Sequence, residues 1–164
     1  WPVNYNCPGQ ISCAGSKEQM DDFCAAVKAA GGRAVKLAVS GAFHTPYMAG
    51  AVSVLEEQLK TLTPGTASVP VYANRTAAPY AADGSDLTET LSRQVASPVR
   101  FEQTLRTLWS EGFDTFVEAG AGATLSGFVR RTLPEATVFT ANSAAGLEEW
   151  KNAWTQSGET VSKH

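Results

Sequence analysis

The fold class of this chain is indicated by the stretch AVSGAFHTP, residues 38–46. It ends an alternation of apolar residues that predicts a strand over 33–39. A glycine and a proline then interrupt the pattern, and an apolar stripe at steps of three and four residues predicts a helix over about 47–62. This order is typical of α/β proteins, in which such connections project side chains into clefts. His44 lies in this connection and is the first candidate for a functional side chain.

Strands and helices alternate along the rest of the chain. Before this stretch, the pattern predicts a turn at Pro8-Gly9 between two short extended pieces, followed by a helix over 17–30. After it, we expect strands at 69–73, 115–118 and 137–140, and helices at 87–95, about 101–109, 124–133 and around Trp150. Because this is the spacing of βαβ units, the sequence predicts an α/β protein with a mostly parallel sheet.

Composition narrows the class of protein. The chain has 164 residues, of which 43% are hydrophobic, and a formal net charge of −3. These values exclude wholesale disorder and argue against nucleic acid or an anionic membrane surface as the main partner. No apolar run approaches the roughly 18 residues of a membrane-spanning helix. The chain begins with Trp1 and its first methionine is Met20, from which we expect it to be part of a longer protein.

The cysteines and histidines limit the chemistry further. The three cysteines lack the C-x-x-C spacing of a zinc site, and three unpaired thiols favour a reducing cytoplasm. The only histidines are His44 and His164, which are too few for a histidine metal site, so we expect no metal. His164 is the last residue and is expected to be frayed. If a histidine acts as a base it is therefore His44; the alternative is a structural histidine satisfied by hydrogen bonds.

Two motifs of known function are incomplete or absent in this sequence. The turn EAGAG, residues 118–122, would need a third glycine at position 125 to match a dinucleotide-binding turn, but that residue is Leu125. We therefore expect a tight βα turn in which the glycines allow close packing. No G-x-S-x-G nucleophile elbow is present, so a serine nucleophile would have to lie outside these residues.

Four segments together resemble one family. They are NYNCPGQ (4–10), AVSGAFHTP (38–46), QVASPVRF (94–101) and EAGAGATLSG (118–127), in which Ala121 stands where the family usually has proline. In order and spacing they are similar to the C-terminal half of the malonyl-CoA:acyl carrier protein transacylases of fatty-acid synthesis and of the acyltransferase domains of polyketide synthases. The resemblance implies a hydrolase-like, mostly parallel α/β core with an inserted ferredoxin-like small subdomain, both only partly present. Residues 1–39 would belong to the small subdomain and 40–164 to the large one.

The resemblance also implies a serine-histidine ping-pong mechanism. His44 would be the base, and the backbone carbonyl of Gln94 would orient it. Asn4 and Asn6 would line the substrate cleft, although turn-capping asparagines are an equal alternative. Phe43 would favour malonyl over methylmalonyl units. The serine belongs to the missing N-terminal half, so this chain alone should be inactive.

The partners implied by the resemblance are malonyl-CoA, acyl carrier protein and the missing N-terminal half of the same protein, with no bound cofactor, nucleic acid or membrane. The location implied is the cytoplasm. Two other classes remain open at this point. One is a non-catalytic module that binds carrier protein, and the other is a small α/β hydrolase that uses a cysteine. Within the family, a polyketide acyltransferase is the alternative to a fatty-acid enzyme.

Overall fold

The computed structural model describes residues 1–39 and 41–156. Ser40, at the start of the predicted large subdomain, and residues 157–164, which include His164, lie outside the described part. The strands are β1 (Pro2–Cys7), β2 (Gln10–Cys13), β3 (Tyr72–Ala73), β4 (Ala78–Pro79), β5 (Thr115–Ala119) and β6 (Thr137–Ala141). The helices are α1 (Met20–Ala29), α2 (Ala49–Leu59), α3 (Leu87–Gln94), α4 (Phe101–Ser110), α5 (Thr124–Thr132) and α6 (Ala144–Gln156), and a 3₁₀ helix at Pro46–Met48 precedes α2.

The chain divides into two compact units. The first holds Trp1–Asn6 and Gln10–Phe101, and the second holds Cys7–Gly9 and the described residues from Glu102 onward. Among the described helices, none is long and apolar enough to cross a membrane.

In the first unit, strand β1 organises two neighbouring segments. Its sheet partner is β2, and Trp1 and Ala14 exchange two backbone hydrogen bonds of 2.8 and 2.9 Å at the open end of this pair. On its other side, Asn4 forms a parallel bridge with Val99. The Val99 amide donates to Val3 O at 2.8 Å, and its carbonyl accepts from Tyr5 N at 2.9 Å. The segment that follows α3 is therefore fixed against β1.

The prediction of a strand over 33–39 is wrong in the described structure, where these residues have no regular structure. A strand needs a neighbouring segment to satisfy its amide and carbonyl groups, and no described strand lies beside 33–39. The alternating apolar side chains Val35, Leu37 and Val39 are 63%, 66% and 64% exposed. The predicted strand at 69–73 is likewise reduced to β3, whose antiparallel partner is the two-residue strand β4.

The second unit contains the βαβ arrangement that the sequence predicts. Strands β5 and β6 pair in parallel from Thr115↔Thr137 to Ala119↔Ala141, and α5 connects them. Leu105, Val129 and Leu133 are buried in this unit. Local spacing is sufficient to specify such a unit, because strand, helix and strand follow each other directly in sequence.

The larger, mostly parallel sheet is not formed by the described residues. They form three two-stranded sheets, of which β5–β6 is parallel and β3–β4 antiparallel. A parallel sheet grows when further strands pair with its edges. The segment 33–39, which could supply such a strand, has no described strand beside it. The chain is an α/β protein with little sheet.

Candidate active site

His44 occupies an unusual backbone conformation. Its φ of 65° lies in the left-handed region. For a residue with a β-carbon, this conformation is about 1–2 kcal/mol less favourable than the right-handed helical conformation. The backbone amide of His44 donates to Val95 O at 2.8 Å, which helps to hold this conformation. Such strained residues are concentrated at functional sites.

The imidazole of His44 is held by the same segment. Its Nδ1 lies 2.9 Å from the carbonyl oxygen of Gln94, the last residue of α3. Carbonyls at the end of a helix lack an intrahelical partner and are available for such contacts. Two consecutive carbonyls, those of Gln94 and Val95, thus bind the ring and the amide of one histidine.

The partners of Nδ1 indicate which ring nitrogen carries the proton. A carbonyl oxygen can only accept a hydrogen bond, so Nδ1 at 2.9 Å from Gln94 O is the donor. The side-chain amide of Gln94 is farther from Nδ1, at 3.4 Å, and donates to Ser97 O at 3.1 Å. Nε2 then has its lone pair free, and a half-buried neutral imidazole in this tautomer can accept a proton from a hydroxyl or a thiol.

Phe43 lies directly before the histidine and is 49% exposed. Its ring lies against Gly41, where an added β-carbon would meet Phe43 Cε2 at 2.5 Å. The Phe43 ring can therefore occupy this position only because Gly41 has no side chain.

The two asparagines lie on the same face of β1. Asn4 is the residue that bridges to Val99, and Asn6 Nδ2 donates to Ser12 Oγ at 3.4 Å. The amide of Asn6 thus makes a contact within the β1–β2 sheet. The structure brings His44 and Gln94 into direct contact and connects Asn4 to them through the backbone of the segment that follows α3.

Sequence reasoning missed two parts of this site. The role of the Val95 carbonyl cannot be predicted from the sequence, because every residue has a backbone carbonyl. No sequence pattern indicates a role for Thr45, although its side chain is fully buried and hydrogen bonded to Ala42 O at 2.6 Å. The proline that follows Thr45 was the available signal, since a residue before proline is restricted to extended conformations.

The glycine-rich turn after β5 is structural. Gly120 and Gly122 have φ values of 139° and 92°, which a residue with a side chain rarely adopts. Glu118 accepts hydrogen bonds from the amides of Leu125 at 3.2 Å and Ser126 at 2.7 Å, in the first turn of α5. A phosphate would need these same amides, so the carboxylate occupies the place of an anion.

The electrostatics of Glu118 agree with this arrangement. Burial acts to raise the pKa of Glu118, but the hydrogen bonds from Ser126 and Leu125 and the nearby Arg130 outweigh it and lower that pKa. The ionised carboxylate is thus the form that the start of α5 stabilises.

Other candidate sites are less suitable. Among the described residues, no group of three or more histidine, cysteine, aspartate or glutamate side chains could hold a metal ion. A cavity of about 290 Å³ in the first unit is lined mainly by apolar side chains, including Val71 and Leu91. Its wall also contains Tyr80, whose pKa is raised by burial and by the nearby Asp86. Such a phenol stays protonated near neutral pH, so His44 remains the candidate base.

Comparisons with known proteins agree on one family. Residues 2–157 match the acyl transferase domain. The chain is 40% identical over 130 residues to the malonyl CoA-acyl carrier protein transacylase of Bacillus subtilis, covering 79% of this chain and 41% of that protein. The crystal structure of the malonyl CoA-acyl carrier protein transacylase from Clostridium perfringens has a TM-score of 0.90 and 32% identity, over 96% of this chain and 50% of that one.

A second similar structure shows a malonyl-transacylase in complex with its type II polyketide synthase acyl carrier protein. It has a TM-score of 0.86 and 31% identity, over 92% of this chain and 49% of that one. The chain thus spans between 41% and 50% of the length of these three proteins. Because the match covers nearly all of its own residues, the chain belongs to the acyl transferase domain family.

Proposed function

We propose that this chain supplies the general base of an enzyme that transfers a malonyl group from malonyl-CoA to the pantetheine thiol of acyl carrier protein. The observation that carries the proposal is the contact of 2.9 Å between His44 Nδ1 and Gln94 O, which leaves Nε2 as a proton acceptor. The proposed substrate and carrier protein are those of the similar malonyl CoA-acyl carrier protein transacylases.

The first half-reaction forms an ester. A serine hydroxyl attacks the thioester carbonyl of malonyl-CoA while His44 Nε2 accepts its proton. Collapse of the tetrahedral intermediate breaks the carbon–sulfur bond, and the departing CoA thiolate takes the proton from the imidazolium. The products are free CoA and a malonyl-serine ester.

The second half-reaction reverses these roles. His44 Nε2 accepts the proton of the incoming pantetheine thiol, and the thiolate attacks the malonyl ester. When the ester bond breaks, the serine oxygen regains a proton from the imidazolium. The enzyme returns to its starting state, and no metal or bound cofactor is needed for either step.

The serine would come from the N-terminal half of the fold, which we propose as the partner of this chain. The exposed apolar alternation Val35, Leu37 and Val39 supports this, since it has the pattern of a strand without its neighbours. We propose that 1–39 belongs to a ferredoxin-like subdomain and 40–164 to a hydrolase-like core. The chain without its partner should be inactive, and the cytoplasm is the proposed location.

Three other residues would act on the substrate. Asn4 and Asn6 would line the cleft near the thioester or the pantetheine arm, where their amides could donate hydrogen bonds. Phe43, whose ring is half exposed beside the base, would crowd the α-methyl group of a methylmalonyl unit.

A second candidate function differs only in pathway. The similarity to a malonyl-transacylase bound to a type II polyketide synthase acyl carrier protein favours an enzyme that loads a polyketide carrier protein. The chemistry at His44 would be the same, and the carrier protein would distinguish the two pathways.

The test uses the complete protein, meaning this chain together with the half that carries the serine. We expect His44→Ala to lower the rate of malonyl transfer by about 10²–10⁴-fold, because the serine loses its base. Thermal unfolding of the variant checks that the loss is not a loss of fold. A near-wild-type rate would remove His44 from the mechanism, and serine malonylation by the 164-residue chain alone would contradict the need for a second half.

A further inference from the structure

The side chain of Thr45 has no access to solvent, although the residues just before it, Phe43 and His44, are exposed and half-buried. Its hydroxyl donates to Ala42 O at 2.6 Å and accepts from Tyr47 N at 3.3 Å. The first bond closes a loop in which Phe43 and His44 are the two central residues. The second bond caps the 3₁₀ helix that follows.

The loop closed by Thr45 contains the left-handed conformation of His44. A residue with a β-carbon keeps such a conformation only when its surroundings hold it from more than one direction. On one side, His44 N is bound to Val95 O at 2.8 Å. On the other side, the hydroxyl of Thr45 is hydrogen bonded to the carbonyl oxygen of Ala42 and so fixes the two ends of the loop.

The backbone of Thr45 has little freedom to adopt another conformation. It has φ −120° and ψ 165°, the extended geometry that the following Pro46 enforces. With Thr45 extended and its hydroxyl bound to Ala42 O, the turn must be completed at the two residues between them. His44 takes the left-handed part of that turn.

We infer that Thr45 is a positioning residue for the base. Its hydroxyl, acting through the Ala42 carbonyl, holds the His44 backbone in the conformation that presents Nδ1 to Gln94 O. Without this bond, His44 relaxes toward an ordinary backbone conformation, its ring moves away from Gln94 O, and the Nδ1–H tautomer loses its preference. The inference rests on the proposed role of His44 as the base.

A purely structural role is the competing explanation, and the chain offers a matched control for it. Thr132 in α5 is also buried, and its hydroxyl donates to Phe128 O at 2.8 Å. Thr45→Val and Thr132→Val each remove one buried hydroxyl–carbonyl bond with little change in shape. Thr45→Val also removes the longer bond from Tyr47 N, which is not part of the match. If Thr45 only stabilises the fold, the two variants should behave alike.

The experiment measures malonyl transfer by the complete protein carrying Thr45→Val, Thr45→Ser, Thr132→Val or His44→Ala. We expect Thr45→Val to lower kcat by about 10–100-fold with KM unchanged, since a misplaced base slows proton transfer and not binding. Thr45→Ser keeps the hydroxyl and should remain within about threefold of wild type. Thr132→Val should lower the Tm without lowering kcat.

A second measurement follows the imidazole directly. Long-range ¹H–¹⁵N NMR distinguishes the two neutral tautomers of a histidine ring. We expect the Nδ1–H tautomer of His44 to dominate in the wild type and in Thr132→Val, and to lose its dominance in Thr45→Val. A purely structural threonine would not change the tautomer in a folded variant.

Three results decide the inference. A wild-type kcat for Thr45→Val, with a loss of Tm like that of Thr132→Val, overturns it. If His44→Ala also keeps its activity, the proposed function fails as well, whereas a large loss in His44→Ala alone leaves the function intact. If Thr45→Val does not fold, Thr45→Ser is compared with Thr45→Ala, and equal kcat values overturn the inference.

Discussion

Two of the connections that lead into helices are held in opposite ways. The turn at 118–124 is closed by a neighbour in sequence, because the Glu118 carboxylate binds the amides of Leu125 and Ser126 at the start of α5. The connection at 41–48 depends on carbonyls 50 residues away, of which Gln94 O holds the His44 ring. In the first connection both carboxylate oxygens of Glu118 have an amide donor, whereas the second leaves Nε2 of His44 available.

The difference indicates how each connection is used. A turn anchored by its own neighbours stabilises the βαβ unit, and its carboxylate is engaged in that anchoring. A connection anchored by a distant segment can hold a strained histidine with one nitrogen free, and its geometry then depends on the fold as a whole. The two connections should therefore respond differently to substitution, one in stability and the other in reaction rate and specificity.

After the loss of activity expected for His44→Ala, the largest expected effect is on specificity at the His44 connection. Phe43→Ser removes the half-exposed ring beside the base, and we expect the use of methylmalonyl relative to malonyl units to rise by about 10–200-fold. Competition between the two CoA thioesters in the complete protein measures this ratio. Leu125→Ser, which changes an exposed apolar residue at the other connection, is the control and should leave the ratio unchanged.

An unchanged ratio in Phe43→Ser would show that the ring does not contact the acyl group. Increased use of both units in equal proportion would mean that Phe43 controls access to the site and not specificity.

The next effect is on stability at the Glu118 turn. Glu118→Gln keeps the shape of the side chain but replaces a charged acceptor with a neutral one, and we expect a loss of about 1 kcal/mol in the free energy of unfolding at pH 7. Urea unfolding measures it. The matched control is Glu135→Gln, at an exposed carboxylate of the same unit, which should change stability by less than about 0.5 kcal/mol. Equal losses in the two variants would contradict a capping role for Glu118.

The contribution of Glu118 should also depend on pH in a defined direction. Its pKa is lower in the folded chain than in the unfolded one, mainly because hydrogen bonds from Ser126 outweigh burial. The folded state therefore binds this proton less readily, and the stabilisation is complete above the unfolded value of about 4.3 and is lost as the pH falls through the folded pKa.

Glutamine does not titrate, so the difference between wild type and Glu118→Gln isolates this contribution. The difference in unfolding free energy should be constant near neutral pH and shrink below about pH 4.3. A difference that persists unchanged into acid would mean that the charge is not what stabilises the turn.

The same contrast explains how much the sequence could predict. The unit β5–α5–β6 follows from local periodicity, since its strands and its connecting helix are consecutive. The prediction of a strand at 33–39 is wrong because a strand forms only beside a neighbouring segment, and the apolar pattern does not indicate which segment that is. His44 and Gln94 were connected by resemblance to a family and not by spacing, because a contact across 50 residues leaves no periodic signal. The roles of Thr45 and of the Val95 carbonyl could not be predicted from residue types or spacing, because they depend on backbone geometry.

The smallest expected effect is at Gln94, and it tests whether the His44 connection is held by the main chain. Gln94→Ala removes the amide that donates to Ser97 O at 3.1 Å but keeps the carbonyl that lies 2.9 Å from His44 Nδ1. Alanine also favours the helical end on which that carbonyl depends. We expect kcat of the complete protein to fall by less than about threefold, against about 10²–10⁴-fold for His44→Ala. A loss approaching that of His44→Ala would show that the side-chain amide holds the ring, and the contrast with the side-chain anchor at Glu118 would then disappear.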